Sequence, residues 1–536
     1  MLPSPKNTAV DESTSIPAPV GGLNARDSIA DMDPRDAVVM ENFFPKRNSV
    51  SVRNGETNIV SGGIFFGNSN IETIVAYNGL NNRKLLACAG AAIYDVASVS
   101  GGNLSTTLYT GNTSGRIQYT NVGTSGGQYV YMVNGVDHAV LYNGSTCQAV
   151  TAVSSPIAIT GVDTSTLINV TLHKQRLWFI QANTCVVWYL AAGAIGGAAN
   201  SIDLTQLFNL GGYLVAMATW TIDDASSIND YAAFITSEGE VALYNGTDPT
   251  SSTTWSLVGR FRIGRPIGYR CWEKAGGDVY MITVDGVFPL SKALLQSRND
   301  LKDAVSDKIF QLLNADIQTY GGNWGWQIKL HPFGRKLIVN VPEQENSTYL
   351  QQLAGVQTQY QYVMNLDTGA WTKFTGWNAN CFEVQADKLY YAGNSVLYQC
   401  DTGNADWDLN ASAPSDINAK CKPAFNYFNA PGVNKMFTMV RPIISAAGQI
   451  NPVLAINVDF QDKLPSSVPT YVVGGSPWDT SAWDTSPWSS VANVNQQWQT
   501  ASGIGKCATI YLQTASQGTN VDWQATDFVY QKGGIL

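Results

Sequence analysis

"DYAAFITSEGEVALYNGTDP", Asp230 to Pro249, holds two apolar runs around the turn Glu238-Gly239. Two such runs joined by a short turn containing Gly, Asn or Asp read as a β-hairpin. The phrase recurs, never identically: "LLACAGAAIYDV" from Leu85, "YVYMVNGVDHAVLYNG" from Tyr129, "RLWFIQANTCVVWYL" from Arg176, "VYMITVDGVFPLS" from Val279 and "LYYAGNSVLYQCD" from Leu389. A weaker copy starts at Lys336 and ends "YVMNLDTGAWTKF". The starts at 85, 129, 176, 231, 279, 336 and 389 lie 44 to 57 residues apart. A hairpin at that interval, with further strands between, is the blade period of a β-propeller. Each blade is a small sheet that cannot cover both its faces, and stacking around an axis covers them. The expected fold class is all-β: a β-propeller of about six to eight blades over 61–405, with a long sandwich or β-helix as the alternative.

Composition agrees with many short strands and turns. Only 14% of the 536 residues are charged, 11% are aromatic, and 49 are glycine. Typical soluble domains carry roughly 25% charged residues. Net charge is −9, and the one basic cluster, "GRFRIGRPIGYR" from Gly259 to Arg270, is short and interrupted. Nucleic-acid affinity rests on neutralising phosphates, so a sequence-reading DNA binder is not expected. The eight cysteines (Cys88, Cys147, Cys185, Cys271, Cys381, Cys400, Cys421 and Cys507) form no CxxC pair, and the three histidines (His138, His173, His331) offer no zinc spacing. Free, buried thiols are expected, with no metal and no cofactor. The first residues lack the apolar core of an export signal, and no run of 18 apolar residues occurs.

Around the repeats, residues 1–20 read as a flexible arm and 21–60 as a segment with a short helix. That helix falls in "DPRDAVVMENFFP", with Asp33 as N-cap and Pro34 at the first helical position. A second, amphipathic helix is expected in Ala293 to Ile317, where Leu301, Val305, Ile309 and Leu312 fall at near-helical spacing. It either packs on the propeller's side or contacts a neighbouring subunit. Residues 406–434 read as a linker, and 435–536 as a C-terminal β-sandwich-like domain.

Catalytic motifs fare poorly. Gly123-Thr124-Ser125-Gly126-Gly127 matches G-x-S-x-G, but its flanks are strand-like on both sides, whereas a nucleophile elbow needs a helix after it. "NLDTGAW" (Asn365 to Trp371) is one residue shorter than the Asp box of sialidase-type propellers. Asp223, Asp224 and Asp230 cluster in "WTIDDASSIND", which reads as a turn more readily than as a glycosidase pair or a calcium loop. Trp478, Trp483 and Trp488 stand five apart in "SPWDTSAWDTSPWSS". That step suits neither a helix face nor a strand face, so they are candidates for interface packing or for glycan stacking. "GGNWGW" (Gly321 to Trp326) reads the same way. No catalytic residue is assigned.

The ordered series from His173 to Leu295, with the opening "GGLNARDSIADMDPRDAVVMENFFPKRNSVSVRNG", "AVSDKI" and the ending "DWQATDFVYQKGGIL", resembles the tail nozzle, or packaged-DNA stabilisation (tail tubular), proteins of short-tailed bacteriophages. The likeness covers most of the chain from Gly21 onward. It implies a structural, non-enzymatic virion protein, made in the host cytoplasm and placed in the tail as a homohexameric ring. The ring would adjoin the portal-adaptor ring, carry fibres or spikes, and let double-stranded DNA pass without sequence-specific binding. Six copies at −9 each would carry about −54, which reduces sticking of DNA to the wall. A glycan-binding host-recognition protein on a propeller scaffold is the alternative.

Overall fold

The computed structural model describes residues 11–59, 70–96, 99–100, 103–104, 106–224, 227–251, 253–293, 303–344, 359–393, 396–406, 414–446, 449–466, 470–472, 493–495 and 497–533. The chain divides into two compact units, one of residues 58–361 and 376–399 and one of 1–57, 362–375 and 400–536.

The first unit is a β-propeller. Seven antiparallel blades follow one another, six of them separate small sheets and blade six part of a nine-stranded sheet, and the repeated phrase supplies the second and third strands of each blade. Blade one runs Ile71–Asn78, Arg83–Ala89, Ala92–Asp95 and Thr107–Thr110; blade two runs Gln118–Thr124, Gly127–Val133, Val140–Tyr142 and Cys147–Ala149. Blade three comprises Leu167–His173, Arg176–Gln181, Val186–Tyr189 and Asn200–Asp203. Blade four, which holds the opening stretch, has the longest strands: Leu214–Asp224, Ser227–Thr236, Glu240–Gly246 and Trp255–Arg262. Its turn needs glycine: Gly239 sits at φ +82°, and a Cβ there would lie 2.4 Å from the Ile263 carbonyl oxygen. Blade five is Trp272–Ala275, Asp278–Thr283 and Gly286–Pro289. Blade six opens with Gln327–His331 and Lys336–Pro342, and blade seven is Cys381–Gln385, Lys388–Gly393 and Val396–Cys400.

Successive blades bury apolar side chains against each other, which is why every strand of the phrase needs an apolar set. Tyr131 and Leu141 of blade two meet Leu167 and Phe179 of blade three. Between blades three and four, Trp178 stacks on Trp255 at 5.3 Å and 17°. The ring closes where Cys381 and Leu397 of blade seven pack with Ile71 and Leu85 of blade one.

Between blades five and six the expected helix is present but later and shorter, as Phe310–Tyr320 after a 3₁₀ turn, Asp307–Ile309. Residues 305 and 306 are not helical because blade five claims them. Val305 N donates to the Val287 oxygen at 3.0 Å, and Val287 N donates to Ser306 Oγ at 2.9 Å. The buried stripe is Ile309, Leu313 and Ile317, while Leu312 is exposed. Leu301 lies outside the described residues.

The second unit is also all-β. In one sheet, Val521–Lys532 lies between Lys435–Ala446 on one side and Asp11–Pro17 and Val50–Val52 on the other. In the other, Asp36–Glu41, Ile417–Pro423, Ala508–Ser516 and Val453–Val458 follow in order. Three expectations are corrected here. The arm at 1–20 contains a strand, Asp11–Pro17, zipped antiparallel to Gln531 through Ala525. The helix at Asp33 to Pro45 is replaced by the strands Asp36–Glu41 and Phe43–Pro45. Asp33 does cap, but only a turn: Arg35 N donates to its Oδ1 at 2.8 Å. Beyond it Val39 and Met40 find strand partners in Lys422 and Cys421, and this distant pairing outweighs the local helix signal. For the same reason 406–434 is not a linker, since Ile417–Pro423 is an inner strand with a partner on each edge.

All eight cysteines are free, and all but Cys147 are buried. Among the described residues no helix is long and apolar enough to cross a membrane, and no group of three His, Cys, Asp or Glu residues is placed to hold a metal ion.

Candidate functional site at the propeller axis

The first strands of the blades converge on a cavity of about 280 Å³ lined by Thr73, Gln118, Asn169, Trp272, Gln327 and Glu383, among others. Arg270, Lys329, Glu273 and Glu383 line it, and the pair Arg116–Glu72 adjoins Arg270, which makes six charges, three of each sign.

Lys329 of blade six sits between two carboxylates. Its Nζ lies 2.8 Å from Glu383 of blade seven and 3.6 Å from Glu273 of blade five. Burial disfavours the ammonium, but the two carboxylates overcome this and hold its pKa above the usual lysine range. Burial raises Glu273 against the pull of Lys329. Tyr119 of blade two is pushed well up by burial and then by the negative charge of Glu383, to which its hydroxyl donates.

Arg270 reaches from the entry to blade five to blade one. Its Nη2 donates to the Glu72 backbone oxygen at 2.9 Å, and its Nη1 donates to Gln327 Oε1 at 3.1 Å. Its guanidinium lies 4.6 Å from the ring centre of Trp324, and Arg116 lies 5.3 Å from the same ring while pairing with Glu72 at 2.9 Å. Gln327 acts as one rung of a strand ladder between blades six and seven: Nε2 donates to the Phe382 oxygen and Oε1 accepts from Phe382 N, both at 2.9 Å. The side chains therefore fasten blades to one another around the cavity. Their charges are spent on each other.

His173 ends the first strand of blade three. Its Nδ1 lies 3.1 Å from Thr219 Oγ1, and its Nε2 is buried with no hydrogen-bond partner. Burial, then the positive charge of Lys174, lowers its pKa to about 4.

The residues singled out from sequence lie elsewhere. Asp223 and Asp224 stand at the end of the blade-four hairpin, paired along the backbone with Ile228 and Ser227, and Asp230 accepts from Thr221 Oγ1 at 2.6 Å. Gly123 to Gly127 is the hairpin between the first two strands of blade two, with strand on both sides. In the second unit, the Asn365 to Trp371 stretch is a turn closed by Gly369 N donating to the Asn365 oxygen at 2.8 Å. Trp478, Trp483 and Trp488 lie outside the described residues. Of "GGNWGW", Trp324 belongs to the axis, and Trp326 is buried with its Nε1 donating to the Tyr320 oxygen at 2.9 Å.

Sequence reasoning missed the axial charges, although a signal exists. Asn169, Glu273, Lys329 and Glu383 each stand six or seven residues before a repeated phrase, directly after an apolar residue: "INV", "WEK", "IKL" and "FEV". In "WEK" only the preceding neighbour is apolar. Aligning the phrases and reading upstream would have collected them.

The chain is thus a β-propeller protein whose central polar side chains are paired across its blades. No family model matches it, and no curated protein does. Solved structures similar to it include BBS1N in complex with ARL6DN, at 13% identity, TM-score 0.28, over 45% of this chain and 73% of that one. Raptor from Chaetomium thermophilum is similar at 10% identity, TM-score 0.37, over 65% of this chain and 29% of its own. YCF48 from Cyanidioschyzon merolae is similar at 10% identity, TM-score 0.25, over 59% and 79%. The propeller assignment rests on the succession of seven blades itself.

Proposed function

We propose that the chain is a structural subunit of a short-tailed phage's tail nozzle, working in the virion as a ring of copies, six by family resemblance. The ring would join the portal adaptor, carry fibres or spikes, and conduct double-stranded DNA. The observation that carries this reading is the set of charged and polar side chains that fasten the blades to one another around the axis. A propeller whose central polar groups are paired across its blades is a rigid scaffold, and DNA would have to pass between copies rather than through one propeller. The sequence resemblance from Gly21 onward and the shortage of positive charge support the same role.

The test is the mass of the purified chain in solution, alone and with tail components of a short-tailed phage. The expected result is a defined ring near six times 57.8 kDa, or recruitment into a tail-sized complex. A strict monomer that ignores tail components but is retained on a glycan array would overturn it.

A further inference from the structure

Two sheet edges stand open, one in each unit, and they are complementary. The outer strand of blade four, Trp255–Arg262, is eight residues long, against four, three and four in the outer strands of blades one, two and three. Among the described residues no strand pairs with its outer side. It exposes Leu257 and Val258, at 40% and 52%, then Arg260 and Arg262. A bulge leaves Val258 without a partner in Glu240–Gly246. Arg260 donates to the Leu207 oxygen, whereas the Arg262 guanidinium has no partner among the described residues. An open edge that exposes apolar side chains is a template for pairing with another chain.

The second open edge is Asp11–Pro17, "DESTSIP", which among the described residues pairs only with Val521–Lys532. It is seven residues long, carries two acids and no base, and closes on Ile16 and Pro17. Glu12 is already paired with Lys532 at 2.7 Å, and Asp11 accepts from Gln531 at 2.8 Å but has no cation among the described residues.

We infer that the blade-four edge of one copy receives the Asp11–Pro17 edge of a second copy as an added antiparallel strand. Only the antiparallel direction satisfies both ends. It sets Asp11 at the Arg262 end and Ile16 at Leu257, whereas a parallel strand would set Asp11 beside Ser256 and Ile16 among the arginines. The contact joins different surfaces of the two copies, and such heterologous contacts generate rings or open chains rather than closed dimers. The inference rests on the ring reading above and names the contact that would build it.

The test mixes two full-length variants, Ser15→Cys and Val258→Cys, under mild oxidation. The expected result is a covalent dimer at least tenfold more abundant in the mixture than in either variant alone. In parallel, Leu257→Lys with Val258→Lys should reduce the assembled mass to that of one chain while the circular dichroism spectrum stays unchanged. If no mixed dimer forms and the double-lysine chain assembles as before, the edge contact is wrong and the ring reading stands. If the parent chain stays monomeric even with tail components, both fall.

Discussion

The two units keep charge inside by opposite means. At the propeller axis six charges arrive from several blades and balance only as a group, so each member depends on strands far away in sequence. In the second unit, buried cations are settled singly. Arg53 is almost fully buried and forms a two-pronged pair with Asp406, one prong at 2.8 Å. Lys435 makes no ion pair among the described residues, and its Nζ donates to the backbone oxygens of Ala430, Val433 and Lys506 at 2.6, 3.0 and 2.7 Å. A shared network makes blade-to-blade registration a collective property, whereas a private pair fixes one join. The cost of removing a partner should therefore spread in the first unit and stay local in the second.

The largest effect is expected at Lys329. Lys329→Ala leaves two carboxylates facing each other around the cavity, and losing one partner of a buried pair costs about 3–5 kcal/mol. Urea unfolding measures the loss, and hydrogen exchange should quicken in blades five, six and seven together. Adding Glu383→Gln to Lys329→Met should recover much of it, because a network is injured more by an unmatched charge than by a missing pair. Additive losses would break the comparison.

Asp406→Ala comes next, at about 3 kcal/mol for stranding Arg53. Here faster exchange should be confined to the second unit, around the Arg53 and Asp406 segments. Spread into the blades would contradict the private-pair account.

The smallest effect is a pH dependence. His173 titrates near 4 when folded and near 6.5 when unfolded, so folding favours its neutral form. Its stabilising share is complete above about pH 6.5 and is lost as pH falls toward 4, by roughly 2–3 kcal/mol at 1.36 kcal/mol per unit. Asp230 opposes this shift, while Lys174 and Lys274 add to it. His173→Gln should flatten that part of the stability curve. An unchanged slope would mean that the ring is protonated in the native state.

The sequence made the repeated architecture legible because each blade restates one local pattern: two apolar runs and a turn. That pattern located the second and third strands of all seven blades, from Leu85 to Cys400. It did not disclose pairings that join distant segments, so Asp11–Pro17 read as an arm, Asp36–Glu41 as a helix and Ile417–Pro423 as a linker. The axial site was hidden for a related reason. Glu273, Lys329 and Glu383 are ordinary charged residues in strand-like surroundings, and only the ring brings them together. The helix was legible in kind but not in extent, because Ser306 and Val305 are held by Val287.

The interleaving of the two units has a consequence in time. Residues 1–57 belong with 362–375 and 400–536, while the blades occupy the stretch between. On a chain made from its first residue onward, the propeller can close once blade seven has emerged. The opening segment must wait for strands several hundred residues later, Ile417–Pro423 and Val521–Lys532, before its own edges are paired. During synthesis the strand proposed to join neighbouring copies is therefore the piece left longest without a partner.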